Sequence, residues 1–174
     1  MDNKSIIDLL ENKHQELFDW IKNQPDENWE KGPENKWTSG QQIQHLTNSL
    51  QLLNNALSYP KFFIRYKYGT SNRPSRSFNQ VAKRYEERLS ENQERARIYN
   101  HNLKKPLLSE KEHLLAKLQI QNKKLQYKTH KLKDKELDSL LVPHPLMGRM
   151  TLREIIMWTA HHTAYHTTRM KINY

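Results

Sequence analysis

Nine histidines in a chain that has no cysteine pose the first chemical question. Neutral imidazole binds zinc, nickel, copper and iron. The lack of Cys removes thiolate ligands, a Cys nucleophile and any disulfide framework. Spacing then sorts the histidines. His162 and His166 stand at i and i+4, which stacks two imidazoles on one side of a helix and suits two ligands of a single ion. At about 100° per residue, the pair falls on or beside the face that carries Leu152, Ile155 and Ile156, while His161 points away from it. Thr159, Thr163 and Arg169 share or border the same face, and a polar cluster turned inward is costly unless something pairs with it. A third ligand has to come from another segment. His45 is the best placed, on the flank of an apolar stripe from Ile43 to Leu57, with His14 a weaker competitor. His101, His113 and His130 lie among polar neighbours and read as solvated. His144, between Pro143 and Pro145, reads as a loop residue. For each inward histidine, a simple buried hydrogen bond is the plainer alternative.

The segments that must position these residues are marked off by Pro and Gly. Pro25, Gly32 and Pro33 fall in one gap, Pro60, Gly69 and Pro74 in the next, then Pro106, then Pro143, Pro145 and Gly148. Between the gaps lie five stretches with a period of about 3.6 residues. The first, from Ser5 to Asn23, aligns Ile6, Leu9, Leu10, Leu17 and Ile21. The second starts near Ser39 and aligns Ile43, Leu46, Leu50, Leu53 and Leu57. The third starts near Ser77 and carries Phe78, Val81, Ala82, Tyr85, Leu89, Ala96 and Tyr99. The fourth starts near Ser109 with a thinner stripe of Leu114, Leu118, Leu125 and Leu132. The fifth runs from Thr151 to about Lys171 with Leu152, Ile155, Ile156, Thr159, Thr163 and Met170. Capping-box patterns begin four of them, at Ser39, Ser77, Ser109 and Thr151, each followed three residues later by Gln or Glu. The expected fold is all-α: a four-helix bundle with an additional helix in a long crossover, forming a single domain over residues 1–174.

Composition agrees with that expectation. Only 35% of the 174 residues are hydrophobic and 28% are charged, so the apolar residues must concentrate on internal stripes. Four Gly are too few for the turns of an antiparallel β fold. No run approaches the ~20 apolar residues of a membrane span, and Met1-Asp2-Asn3-Lys4 does not open a signal peptide. The expected location is the cytoplasm, with no membrane partner. The net charge of +10 raises nucleic acid as a partner. The cations are scattered along nearly every segment, however, and a generally basic surface accounts for them better. Trp20, Trp29 and Trp37 read as core packing of the first helix pair, with a contact surface, and hence a homodimer, as the alternative.

Three blocks carry a family resemblance. Trp37-Thr38-Ser39-Gly40-Gln41-Gln42-Ile43-Gln44-His45-Leu46 resembles the second-helix signature of the DinB-like family of small metal-binding helical bundles. His144-Pro145-Leu146-Met147-Gly148-Arg149-Met150-Thr151-Leu152-Arg153-Glu154 resembles that family's loop into its last helix. His162-Thr163-Ala164-Tyr165-His166-Thr167-Thr168-Arg169-Met170 resembles its terminal His-rich helix. The blocks keep the family's order and spacing and cover roughly a third of the chain. The resemblance implies an up-down-down-up bundle whose long crossover holds residues from about 60 to 108. It also implies a divalent metal, zinc or nickel, held by His45, His162 and His166. The chain departs from the family's pattern at Tyr165, where relatives often have His, and at Arg169, where they often have Gln. Characterised relatives are similar to thiol-dependent transferases, some using low-molecular-weight thiols.

Three neutral His ligands leave an open position on a metal. An ion held that way can lower the pKa of bound water to about 7 or deprotonate a coordinated thiol. With no Cys in the chain, an attacking sulfur has to come from a cosubstrate. The expected function is a metal-dependent thiol S-transferase or hydrolase acting on a small molecule. A non-catalytic metal-binding or interaction bundle is the alternative, and a basic nucleic-acid-binding protein a more distant one. No general base stands out: Glu154 is claimed by its own helix cap, and Tyr165 and Arg169 are weak catalytic candidates. The stretch Asn72-Arg73-Pro74-Ser75-Arg76-Ser77 could hold an anion beside a helix N-terminus. Its plainer reading is that Ser77 caps the helix and the arginines are solvated.

Overall fold

The computed structural model describes residues 1–174 except for the side chain of Tyr99, so the expected place of Tyr99 on the third stripe lies outside the described residues. The chain is mostly helical. Helix α1 (Asn3–Lys22) leads through a short turn α2 (Glu27–Glu30) to α3 (Ser39–Ala56). Helices α4 (Lys61–Tyr68), α5 (Phe78–Glu91) and α6 (Gln93–Tyr99) follow, then α7 (Lys111–His130) and the short α8 (Asp134–Ser139). A hairpin of β1 (Leu141–His144) and β2 (Gly148–Thr151) delivers the chain into the last helix, α9 (Leu152–Asn173).

The five expected segments are all helical, and the differences lie at their ends. The third segment is two helices, because the chain breaks at Asn92 between α5 and α6. Helix α3 is capped one residue earlier than expected, by Thr38, whose hydroxyl accepts from Gln41 N–H at 3.1 Å while Gln41 Oε1 accepts from Thr38 N–H. Ser39 is then free to donate to the Asn28 carbonyl at 2.7 Å, tying α3 to α2. Helix α7 is entered through a 3₁₀ turn at Leu108–Glu110 instead of a Ser109 cap. Ser77 and Thr151 cap α5 and α9 as expected, each with a reciprocal side chain at the third helical residue. The hairpin had no counterpart among the expected elements. It pairs Leu141 with Thr151 and His144 with Gly148, and Gly148 takes a left-handed φ of 72°, which a residue without Cβ adopts at no steric cost.

The expected stripes become the core. Helix α1 packs against α9 and α7, α3 packs against α7 and α9, and α5 lies across α9. Ile6, Leu10 and Leu17 meet Ile43, Leu46 and Leu50, together with Leu118, Leu125 and Ile156, and all of these are fully buried. Helix α9 is the most enclosed element, with every residue from Leu152 to Ala160 buried. Trp29 is 1% exposed and anchors the turn between α1 and α3, donating from Nε1 to the Leu107 carbonyl at 3.0 Å. Trp20 is half-buried, near Tyr174. Among the described residues no helix is long and apolar enough to cross a membrane.

Gly40 lets α3 approach the Trp29 turn closely. A Cβ there would lie 2.8 Å from the Trp29 carbonyl oxygen and 3.0 Å from its ring. Backbone against backbone has no soft side chain to give way. Gly40→Ala should therefore lower stability by roughly 1–3 kcal/mol, although Ala is the better helix former by about 1 kcal/mol. Chemical denaturation followed by far-UV circular dichroism measures it, and an unchanged or higher midpoint would contradict the packing described.

Candidate metal centre

Helix α9 places His162 and His166 one turn apart, and α3 brings His45 to the same point. His45 Nε2 and His166 Nε2 each lie 3.0 Å from His162 Nε2. These are the residues that the sequence singles out, and among the described residues they form the one group of His or acidic side chains close enough to share an ion. His162 and His166 are buried and His45 is half-buried.

The ring chemistry suits an ion. His166 Nδ1 donates to Gln42 Oε1, so the lone pair of that imidazole sits on Nε2, facing the other two rings. A single proton on His162 Nε2 could at best be shared between its two neighbours, whereas a cation would engage all three lone pairs. Two nitrogens bound to one ion at the usual N–metal distances lie about 3 to 3.4 Å apart, which matches the spacing found. Burial, and then the neighbouring imidazoles, push His162 and His166 well below the ordinary 6.5, and burial lowers His45 to about 4 against an opposing hydrogen bond with Asn100. All three rings are therefore neutral near pH 7, the state in which imidazole ligates.

Aromatic residues enclose the cluster. The Trp158 ring stacks on His162 at 4.5 Å between centroids, and Trp37 lies parallel to His166 at 6.2 Å. Trp37 thus belongs to the site wall, not to the core of the first helix pair. His144 is buried at the end of β1, its ring 4.3 Å from Trp158. Its Nδ1 accepts from the N–H groups of Leu146 and Met147, both at 3.1 Å, which leaves the proton on Nε2. So His144, expected in a loop, is a buried strand residue beside the site. Gln42, Trp158 and His144 escape a reading of the sequence. The contacts of Gln42 with His166 and of His144 with Trp158 arise between elements, and the local signals were Gln42 and Trp158, each one turn before a histidine of the cluster.

The other histidines stay apart from the cluster. His14 is buried on α1, its Nδ1 bonded to the Leu10 carbonyl at 2.8 Å, and burial lowers it to about 4. His161 faces α5, 3.4 Å from Glu86, and shares no direction with His162. His101, His113 and His130 are exposed as expected. Tyr165 is half-buried beside His166, and the Arg169 guanidinium lies over the Tyr165 ring at 5.4 Å.

All three ligating candidates open onto a cavity of about 810 Å³. Its walls come from α3, α5, α6, the hairpin and α9, so the segment between α3 and α7 roofs the site. A model of the DinB superfamily matches residues 9–170, and the chain belongs to that superfamily of helical, generally metal-binding proteins. No curated protein and no solved structure matches.

The 72–77 stretch does hold an anion, and the anion is the protein's own. Glu154, at the start of α9, is fully buried and takes both nitrogens of Arg73 at 2.6 and 3.0 Å. It also accepts from Arg76 N–H at 2.7 Å and from Thr151 N–H at 3.3 Å. Ser75 donates to Asp138 at 2.7 Å, and Arg153 closes a second set of bonds to Asp138 and Asp134. Burial alone would raise the Glu154 carboxyl, but Arg73, the Arg76 N–H and the two guanidinium charges outweigh it and hold it below its ordinary 4.5. A carboxyl lowered on folding adds stability that is present above its unfolded value and is lost as pH falls through the folded one. Stability should therefore drop as the solution is acidified below pH 4.5, and Glu154→Gln should flatten that part of the curve. At pH 7 the variant should lose roughly 2–3 kcal/mol, less than the 3–5 kcal/mol of a fully buried pair because both arginines reach water. Urea melts of both proteins between pH 3 and pH 7 read this directly. Parallel curves would remove Glu154 from the account.

Proposed function

We propose that the protein is a metal-dependent enzyme acting on a small molecule, with His45, His162 and His166 as the three protein ligands of one divalent ion, zinc or nickel. The observation that carries this reading is the convergence of three neutral imidazole nitrogens at the wall of a large cavity. Three ligands facing a cavity fit a catalytic site better than a structural one, since structural zinc usually closes with four. When bound, such an ion supplies an activated water or a thiolate at neutral pH. The reaction we favour is thiol S-transfer, with a low-molecular-weight thiol as cosubstrate in the cytoplasm, and hydrolysis uses the same site.

The chain's own residues prepare that chemistry. Burial keeps the three rings unprotonated. Gln42 fixes the tautomer and angle of His166, and the indole of Trp158 fixes the plane of His162. Trp37 and Trp158 cover the rings and exclude water from two sides. We read the whole chain as one domain. Its four long helices α1, α3, α7 and α9 fit an up-down-down-up bundle, since α1 and α3 each pack on both α7 and α9. Helices α4 to α6 then form the crossover.

The test is elemental analysis of untagged protein purified without chelator. About one equivalent of zinc or nickel is expected, lost in His162→Ala with the far-UV spectrum retained. Gln42→Ala should keep the site but weaken it about 10- to 100-fold, measured by competition with a chromophoric chelator. Protein that takes up neither metal after incubation with both would end this reading.

A further inference from the structure

The cavity has a second chemical character that the histidines do not explain. Lys36, Arg95, Arg97 and Arg169 line it, and no Asp or Glu does among the described residues. Arg97 is neutralised by Glu94 at 2.6 Å, and Lys36 has only the neutral Asn173 carbonyl oxygen at 2.8 Å. Arg95 and Arg169 have no carboxylate partner among the described residues. Arg169 lines the same cavity as His162 and His166, three residues after His166 on α9.

The remaining wall is apolar and rich in donors. Leu53, Leu89, Val142 and Ile155 contribute hydrocarbon surface, and Trp37 and Trp158 contribute aromatic faces. Trp158 is 8% exposed, yet its indole Nε1–H is buried with no hydrogen-bond partner. His144 beside it carries its proton on Nε2, since its Nδ1 is occupied by two backbone N–H groups. A buried donor without a partner is costly. Positive charge without counter-charge, spare N–H donors and flat apolar walls together describe the complement of an organic oxyanion with an aromatic or aliphatic body.

We propose that the cavity binds an apolar organic anion, a carboxylate or similar oxyanion, with Arg169 pairing the charged head and the tryptophans packing the body. This rests on reading the cavity as the place where a substrate meets the three histidines. Arg169 is held ready by its stacking on Tyr165, which lowers the cost of ordering it. A bidentate guanidinium–carboxylate pair at that point would set the orientation of the molecule and leave its far end toward the histidines.

The test uses three probes that share one ring: 1-naphthylacetate, 1-naphthylacetamide and 1-naphthylethylamine. Each is titrated calorimetrically into the full-length protein as purified and again after chelation, with bound metal measured separately. The acetate should bind about tenfold or more tighter than the amide, and the amine should not bind. Arg169→Gln should bring the acetate to the level of the amide and leave the amide unchanged. Equal affinity for acetate and amide, preference for the amine, or no binding by any probe would overturn the proposal. So would an anion preference that vanishes on chelation, because the ion and not the arginine would then be holding the carboxylate. Anion binding in protein that takes up no metal would leave the inference standing and remove the metal centre. Metal uptake with no anion preference would do the reverse.

Discussion

Helix α9 has to bury its first nine residues on all sides while carrying charged and hydroxyl-bearing side chains. That constraint organises the rest of the molecule. Thr159, Thr163 and Thr167 solve it locally, each returning its hydroxyl to the carbonyl four residues back. Arg153 and Glu154 cannot be satisfied that way. Arg153 draws in α8 through Asp134 and Asp138, and Glu154 draws in the 73–76 stretch through two arginines and a backbone N–H. His162 and His166 are the last inward polar pair, and for them the helix itself offers no partner. His45 and Gln42 on α3 take that role, and the arrangement brings three ring nitrogens together at one point. The place where the helix cannot balance its own polar groups is the place where a ligand fits.

The same division explains what could be read from the residues alone. Four long helices were legible because their information is periodic: a stripe at about 3.6 residues survives any tertiary detail. The caps at Ser77 and Thr151 were legible because a cap is a bond across three residues. The cap of α3 falls on Thr38, one position before the expected Ser39, since both are capable caps and only the contact of Ser39 with Asn28 decides between them. The hairpin was not legible. Its strands are four residues each, one contains Pro143, and only the first alternates in burial. Among the site residues, His162 and His166 announced themselves by spacing, while His45 needed the helix wheel and the family resemblance. Trp37 meets His166 across the chain and His144 meets Trp158 only once the hairpin folds against α9, whereas Trp158 stands one helical turn before His162.

The loop expected to face solvent or a bound anion shows how charge arithmetic can mislead without topology. Arg73 and Arg76 looked free because no acid stands near them in sequence, and their partner Glu154 looked occupied by its own cap. A carboxylate has two oxygens and about four lone pairs, so a capping bond leaves most of its capacity unspent. Desolvation at the start of α9 then makes the unspent capacity expensive, and two guanidinium groups come in to relieve it.

Tethering that stretch to α9 also ties the roof of the cavity to its floor. The chain between α3 and α7 contributes Tyr85, Leu89, Arg95 and Asn100 to the cavity wall, and the Glu154 pairs fix where α5 begins. From that anchor α5 runs across α9, Tyr85 packs edge-on against Trp158 and His162, and α6 brings Arg95 to the wall. The buried carboxylate therefore does not touch the histidines, yet it sets the position of the aromatic and cationic residues that face them. The three histidines thus stand on α3 and α9, and Tyr85, Leu89, Arg95 and Asn100 of the segment between α3 and α7 face the same cavity.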